Sequence, residues 1–544
     1  MVRIWFFAIS ALVFAAVGLI WTVWPPVLWS LVVLGPLFLV GVRDALQTRH
    51  TVLRNFPLIG HGRYLMESIR PEVHQYFIES NLDAYPVERE YRSLVYQRAK
   101  NQLETQPFGT QRDVYRVGYE WASHSLAPVE ELEHEPRIHV GGPDCSRPYE
   151  SSHLNVSAMS FGAISPNAIL ALNEGARMGH FAHNTGEGGL SKYHLERGGD
   201  IIWQIGTGYF GCRTDDGGFD AEKFRDNARK EPVRMIELKL SQGAKPGHGG
   251  ILPASKVSAE IAEARGLPEH QAAISPPWHR EFDTPTGMIE FVARLRDLAD
   301  GRPVGVKLCL GRRHDFLAIC KAMLEVGTAP DFFTVDGGEG GTGAAPLEFS
   351  NSLGTPGRDA LVFVHNALVG AGVRDRVRVF FSGKVLSSFH MIRALALGAD
   401  GCNSARGMMF ALGCIQALRC NTNHCPTGIT TQNPALVKGL HVPTKSERVY
   451  RFHKATIDSM LEMVAAMGHE NPSEIRPEHV FRRVDDLNVR SFAEIYEFLD
   501  EGALVHGDLP DCSLAREWNE ASADHWSFEP EKGRPMRKAR SARA

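Results

Sequence analysis

The sequence predicts an α/β chain organised as a closed (β/α)8 TIM barrel, with an iron–sulfur cysteine loop after its last strand and a transmembrane helix or hairpin before it. Three observations carry that prediction. Apolar runs of strand length alternate with helical patterns between residues 151 and 435. Three cysteines, Cys414, Cys420 and Cys425, follow the last run in a C-x5-C-x4-C spacing closed by Pro426. Near the N-terminus, Ile4 to Trp24 carries no charge.

The strand-like runs fall at 154–160, 180–185, 201–206, 235–241, 304–310, 332–337, 377–383 and 400–405, with helical stretches such as 165–179, 286–299, 314–326 and 387–398 between them. Strands alternating with helices imply parallel βαβ units, and eight units in roughly 250 residues suit a closed barrel. A doubly wound open sheet is the alternative. Glycine, lysine and acidic residues follow the ends of many different strands, and a barrel gathers all those ends at one face while an open sheet gathers few. The chain of 544 residues has room for one such domain plus additions. A net charge of −4 gives no reason to expect a nucleic-acid partner. The 52 glycines cluster in short runs between apolar strands, as in loops that bring backbone close to a ligand.

Ile4 to Trp24 is long enough to cross a bilayer at about 1.5 Å rise per residue. Pro25-Pro26 breaks it, and Val27 to Val42 is a second uncharged run, short for a span and interrupted by Pro36. Arg43, Arg49 and Arg54 follow, which suits a hairpin with both ends in the cytoplasm; a cleaved secretory signal is the alternative. The expected layout is a membrane anchor over 1–43, a lead-in or cap over 44–150, the barrel over 151–435, a C-terminal helical packing segment over 436–520 and a disordered tail over 521–544. Weak helical periodicity marks 71–80 and 91–103, and a longer helix is expected near 447–468. Nine cysteines without a framework-like spacing argue for a reducing compartment rather than disulfides.

Cysteine thiolates are the usual protein ligands of iron–sulfur clusters, and three in one loop suit a three-iron core. Three buried thiols, or a zinc site completed by His424, are the alternatives; zinc usually takes four ligands at closer spacing.

The segment GADGCNSARGMMFALGCIQALRCNTNHCPTGITTQ resembles the end of the FMN-binding synthase domain of glutamate synthase. Similar blocks stand upstream in the same order: SAMSFGAIS (157–165), HNTGEGG (183–189), ELKLSQGAKPGHGG (237–250), ISPPWH (274–279), VKL (306–308) and DGGEGGTGAAP (336–346). The resemblance implies bound FMN and a 3Fe–4S cluster on Cys414, Cys420 and Cys425. It implies that Ser382-Gly383-Lys384 and Ser404-Ala405-Arg406, after strands seven and eight, hold the FMN phosphate; barrels most often hold phosphate there. Ala158 and Met159 would lie along the flavin edge, Gln204 would contact the ring, and Gly337 and Gly338 would approach it closely.

Lys307 stands inside an apolar strand, where a bare ammonium is expensive to bury. Its expected places are beside the flavin, where it stabilises the charge of the reduced cofactor, or on a substrate carboxylate. Lys239 raises the same question in strand four. Glu187 is an acid on a glycine loop, placed to transfer a proton to the amino nitrogen or keto oxygen. Ser160, Lys239 and Lys245 are the candidate substrate contacts. The basic run after Lys307, with Arg312 and Arg313, departs from the family pattern and puts 2-oxoglutarate in doubt as substrate.

Full glutamate synthases also carry a glutamine amidotransferase domain, and neither that domain nor a strand–GxGxxG–helix unit for a pyridine nucleotide is recognisable here. The expected chemistry is therefore reductive amination of a keto acid, 2-oxoglutarate first, with electrons from a partner such as a ferredoxin or reductase subunit. An amine or N-methyl-amino-acid dehydrogenase is the second reading, and a non-enzymatic electron-transfer or scaffold subunit the third.

Overall fold

Parallel strands covered on both faces must be apolar almost throughout, and the eight apolar runs of this chain become eight such strands. In the computed structural model, which describes residues 2–507 and 513–526, they are β1 (Leu154–Val156), β2 (His183–Asn184), β3 (Ile201–Ile205), β4 (Val233–Lys239), β5 (Val304–Leu308), β6 (Phe332–Asp336), β7 (Arg378–Ser382) and β8 (Gly401–Ser404). They pair in chain order, all parallel, and β8 closes on β1. The open-sheet alternative is thereby excluded. Helices follow the strands as expected, among them Pro166–Gly179, which Ser165 caps by accepting from the Ala168 N–H, Pro285–Leu298, Arg313–Val326, Gly357–Gly370, Ser388–Ala396 and Arg406–Leu412.

A β-strand side chain alternates between inward and outward, and the inward positions form layers. At the lower end Ile202, Met235, Phe332 and Phe380 meet Ile138, Val140 and Tyr149 in one buried cluster. The last three belong to an antiparallel hairpin, Ile138–Val140 with Tyr149–Ser151, which stoppers the barrel. Gly305 is opposite Phe332 in the ladder, and a Cβ there would lie 2.4 Å from the Phe332 ring. The absent side chain is what lets the phenyl ring fill the barrel.

Outside the barrel, Val442–Ala466 packs on Pro166–Gly179 so closely that a Cβ on Gly175 would lie 2.6 Å from Val449 Cγ1. The segment 436–520 is not purely helical. Val480–Arg483 and Val489–Ser491 form a three-stranded antiparallel sheet with Glu120–Ala122 of the lead-in. The buried carboxylate of Glu120 gathers Arg358, Arg393 and Arg482, the last at 2.6 Å, so the stretch around Glu120 and the C-terminal segment form one structure. The first residues of the segment expected as a tail over 521–544 are packed: Ala521 and Ala523 are buried, and their carbonyls accept from Lys321 Nζ at 2.7 Å and Thr286 Oγ1 at 3.0 Å. Residues 527–544 lie outside the described residues.

The chain divides into two compact units, residues 1–89 and 90–544. In the first unit, helices Val2–Trp21 and Leu31–Leu46 pack through Phe6, Phe14 and Phe38. The second helix runs through Pro36, and with the preceding 3-10 turn from Pro25 it gives an apolar span of 22 residues. The expectation that Pro36 would interrupt it is corrected: an interior proline removes one backbone hydrogen bond, and the helix continues past that loss. Both spans are long and apolar enough to cross a membrane. Within this unit Asp44, at the end of the second span, is buried and joined to His61 Nε2 at 2.8 Å.

Candidate active site

Above the apolar stopper the barrel interior turns polar. Glu237 is fully buried; its Oε2 accepts from Asn184 Nδ2 at 2.8 Å and Gln204 Nε2 at 2.5 Å, and its Oε1 from Thr334 Oγ1 at 2.7 Å. Three strands are thus tied to one carboxylate on a fourth. Above it, the side chains at the C-terminal ends of the strands form ion pairs. Lys307 Nζ lies 3.4 Å from Asp336 Oδ2, which also accepts from the Gly243 N–H at 3.0 Å. Lys239 Nζ lies 2.8 Å from both Glu187 Oε1 and Gln242 Oε1.

Charge is held firmly in this layer. Burial works against the Lys307 ammonium, yet Asp336, Glu237 and Glu187 keep its pKa above the ordinary lysine value. Burial likewise works to raise Glu187, but Lys239, Arg265 and Lys245 hold its carboxyl below the usual range. Among the described residues Lys245 forms no salt bridge; its Nζ donates to the Ala344 carbonyl at 2.9 Å, and burial lowers its pKa.

The glycine loop after β2 aims Glu187. Gly186 has φ +64°, and a Cβ there would lie 2.7 Å from the Ser160 N, so the loop rests directly on the segment after β1. Glu187 is then confined between Gly206 and Gly250, where added Cβ atoms would lie 2.8 and 2.5 Å from its side chain. Ser160 and Ala158 are half-buried beside it and Met159 is buried.

At the β7 and β8 ends, Ser382 Oγ is 3.2 Å from Ser157 Oγ, and Arg406 Nη2 donates to the Glu339 carbonyl at 2.7 Å. Gly337 N–H bonds the Ser382 carbonyl and Gly338 N–H the Thr355 carbonyl. Lys384 follows Gly383 in the left-handed region, φ +53°, which turns the chain sharply at this end of the barrel. Ala405 is the residue before the helix Arg406–Leu412, and the Ser404 hydroxyl donates to the Val385 carbonyl.

The cysteine loop follows that helix. It contains three non-glycine residues in the left-handed region, Gln416, Leu418 and Asn423, a strain that persists only where surroundings over-determine it. The Gln416 N–H donates to Cys414 Sγ at 3.4 Å, and Cys425 Sγ is 3.2 Å from Thr427 Oγ1. Burial works to raise the Cys425 thiol, but hydrogen bonds from Thr427 and Thr430 bring it down to about 7, whereas burial pushes Cys414 up to about 12. Among the described residues no three His, Cys, Asp or Glu side chains converge on a single ion. All eight cysteines of the described residues are free thiols. The loop adjoins the glycine-rich turn after β6, where a Cβ on Gly343 would lie 3.3 Å from Cys420 Cβ.

The structure thus brings Glu187, Lys239, Lys245 and Lys307 into one field at the barrel mouth and places Ser382, Gly383, Lys384, Ser404, Ala405 and Arg406 at the adjoining ends of β7 and β8. Gln204 spends its amide N–H on Glu237. Arg312 and Arg313 are not part of this group: Arg312 pairs with Asp315 at 3.3 Å and Arg313 with Glu517 at 3.0 Å, so the basic run serves helix packing. Sequence reading passed over Glu237, Asp336 and His279. The first two share strand parity with Lys239 and Lys307, a signal that was available. His279 Nε2 donates to the Lys239 carbonyl at 2.9 Å and its Nδ1 lies 3.0 Å from Tyr209 OH, with burial lowering its pKa to about 4; nothing short of the fold announces that.

Comparison with known proteins adds a common origin to this geometry. The family described as the conserved region in glutamate synthase matches residues 126–470. A glutamate synthase large subunit-like protein of Bacillus subtilis is 36% identical over 491 residues, which is 83% of this chain and 93% of that one. An archaeal NADPH glutamate synthase of Methanocaldococcus jannaschii is 34% identical over 324 residues, 59% of this chain and 60% of its own length. The large chain of the NADPH glutamate synthase of Bacillus subtilis is 30% identical over 330 residues, 59% of this chain but 20% of its own.

Proposed function

The chain belongs to the glutamate synthase family, and from that premise we propose that it is a membrane-anchored oxidoreductase that uses FMN and a 3Fe–4S cluster to aminate 2-oxoglutarate reductively to glutamate. The observation that carries the reading is the pair of ion pairs at the barrel mouth, Glu187–Lys239 and Asp336–Lys307, over a hydrogen-bonded polar layer. When bound, FMN would supply hydride exchange with the α-carbon and the cluster one-electron exchange with a donor protein, a ferredoxin or reductase subunit.

The donor sets fit both groups. Lys307 and Arg406 supply fixed positive charge, the Ser157–Ser382 pair and the left-handed turn at Lys384 supply small polar surface, and Ala158, Gly337 and Gly338 leave space. Three thiols in one loop, with an N–H and a hydroxyl already directed at sulfur, have the chemistry that cluster ligation demands. Lys245 and Lys239 are the groups to bind the two carboxylates of the keto acid. In its pair with Lys239, Glu187 is too weak a base to exchange protons. Once Lys239 turns to a substrate carboxylate, the Glu187 carboxyl rises toward its ordinary range and can exchange a proton with the amino nitrogen or keto oxygen. Arg312 and Arg313 pair with Asp315 and Glu517 rather than with the lysines at the mouth, which supports keeping 2-oxoglutarate as the first substrate to test. The two N-terminal helices anchor the chain, with the barrel on the cytoplasmic side, where free thiols stay reduced.

The test is anaerobic purification with flavin and iron analysis, followed by keto acids, ammonia and amines watched at the flavin absorbance. Stoichiometric FMN, about three irons per chain and reoxidation of reduced flavin by 2-oxoglutarate plus ammonia are expected. Well-folded protein without flavin or iron would refute the reading. Reduction of the flavin by amines alone would reverse the direction assigned here.

A further inference from the structure

Lys256 ends a short 3-10 turn, Ala254–Lys256, in the excursion between β4 and the helix Pro285–Leu298. Its side chain is 3% exposed. The ammonium donates to the carbonyls of Cys420 at 2.7 Å, Thr430 at 2.8 Å and Ala163 at 3.4 Å. All three acceptors are neutral, and among the described residues no carboxylate forms an ion pair with it. A buried ammonium with only dipoles around it is costly unless an opposite charge lies nearby. Two of the three acceptors, the Cys420 and Thr430 carbonyls, lie in or just past the cysteine run, so the ammonium is seated against the loop that carries Cys420 and Cys425. The adjacent residue reinforces the docking: the Ser255 carbonyl accepts from Asn423 Nδ2 at 3.3 Å.

We infer that Lys256 is a positioning residue for the cysteine-ligated cluster, fixing the loop through three carbonyls and supplying the buried positive charge that raises the cluster's reduction potential. The inference rests on the cluster reading of Cys414, Cys420 and Cys425. Net charge and hydrogen bonding around the sulfurs are what set such potentials. An added electron makes the cluster more negative, and a cation fixed in a water-poor site stabilises that state over the oxidised one. Lys256 also ties the loop to Ala163, which follows β1, so the same side chain holds the cluster loop against the barrel mouth.

The experiment compares the full chain, purified without oxygen, with Lys256→Gln, Lys256→Met and Lys256→Arg. The readouts are iron content and the midpoint potential of the oxidised-cluster EPR signal. The uncharged variants should keep their iron and shift the oxidised-to-reduced ratio at fixed potential at least tenfold toward oxidised, about 59 mV for a one-electron couple. Lys256→Arg should stay within threefold of the parent. If both uncharged variants lose iron and the arginine variant keeps it, the positive charge is required to hold the cluster at all, which also supports the assignment. If the arginine variant loses iron too, Lys256 is a strut without an electrostatic role and the assignment falls. An unchanged potential in iron-loaded Lys256→Gln overturns this inference alone, whereas an iron-free parent overturns the cluster reading and this inference with it.

Discussion

Glu187 and Glu237 are both buried acids, yet they do opposite work, and substitution separates them. Glu237 is saturated by three neutral donors on neighbouring strands, so it holds the barrel together. Replacing it with alanine leaves Asn184, Gln204 and Thr334 without an acceptor, and stability should fall by about 3 kcal/mol or more, read from urea denaturation. Glu187 bonds Lys239, the lysine that the proposed mechanism turns to the substrate. Glu187→Gln should leave flavin content and stability near those of the parent and lower kcat by about 10²–10⁴-fold, measured with 2-oxoglutarate and ammonia. Lysines inside apolar strands drew attention to 239 and 307 from the sequence alone. Their partners were less visible, because Glu237 and Asp336 read as ordinary strand and loop acids until the strands close and bring their ends within a few ångströms.

At the scale of elements, strand existence was legible because burial on both faces demands apolar runs. Strand length was less so: β1 is shorter than its run because Ala158 and Met159 continue past the ladder toward the mouth, and β2 because Phe181 and Ala182 precede the ladder at its other end. The packing of β5 on β6 gives a direct test. Gly305→Ala puts a methyl group into the Phe332 ring, and overpacking of this kind should cost about 1–3 kcal/mol, seen as a lower urea midpoint with an unchanged m-value. Pro36 was misread for a related reason, since one lost backbone bond does not end a helix that apolar packing sustains. The sheet that joins Glu120–Ala122 to Val480–Arg483 could not be read at all, because its strands of three or four residues lie more than three hundred positions apart.

For the whole molecule, acid sensitivity follows from its interior. Burial lowers His183 to about 3 and His279, His365 and His453 to about 4, each from an ordinary 6.5. Between those values the unfolded chain binds more protons than the folded one. The stabilisation is complete above about pH 6.5 and is lost as pH falls toward 4, on the order of 3 kcal/mol for a fully buried imidazole such as His453. The thermal midpoint should drop steeply across that window, and His453→Asn should flatten the slope by about one proton.

The hairpin under the barrel has its own consequence for traffic. With Tyr149 and its neighbours corking one end, whatever reaches Lys307 arrives and departs by the same doorway. An outgoing molecule must clear the threshold before its successor crosses it. Exit and entry are therefore strictly sequential, and a lingering product is a direct competitor for the seat it has just vacated.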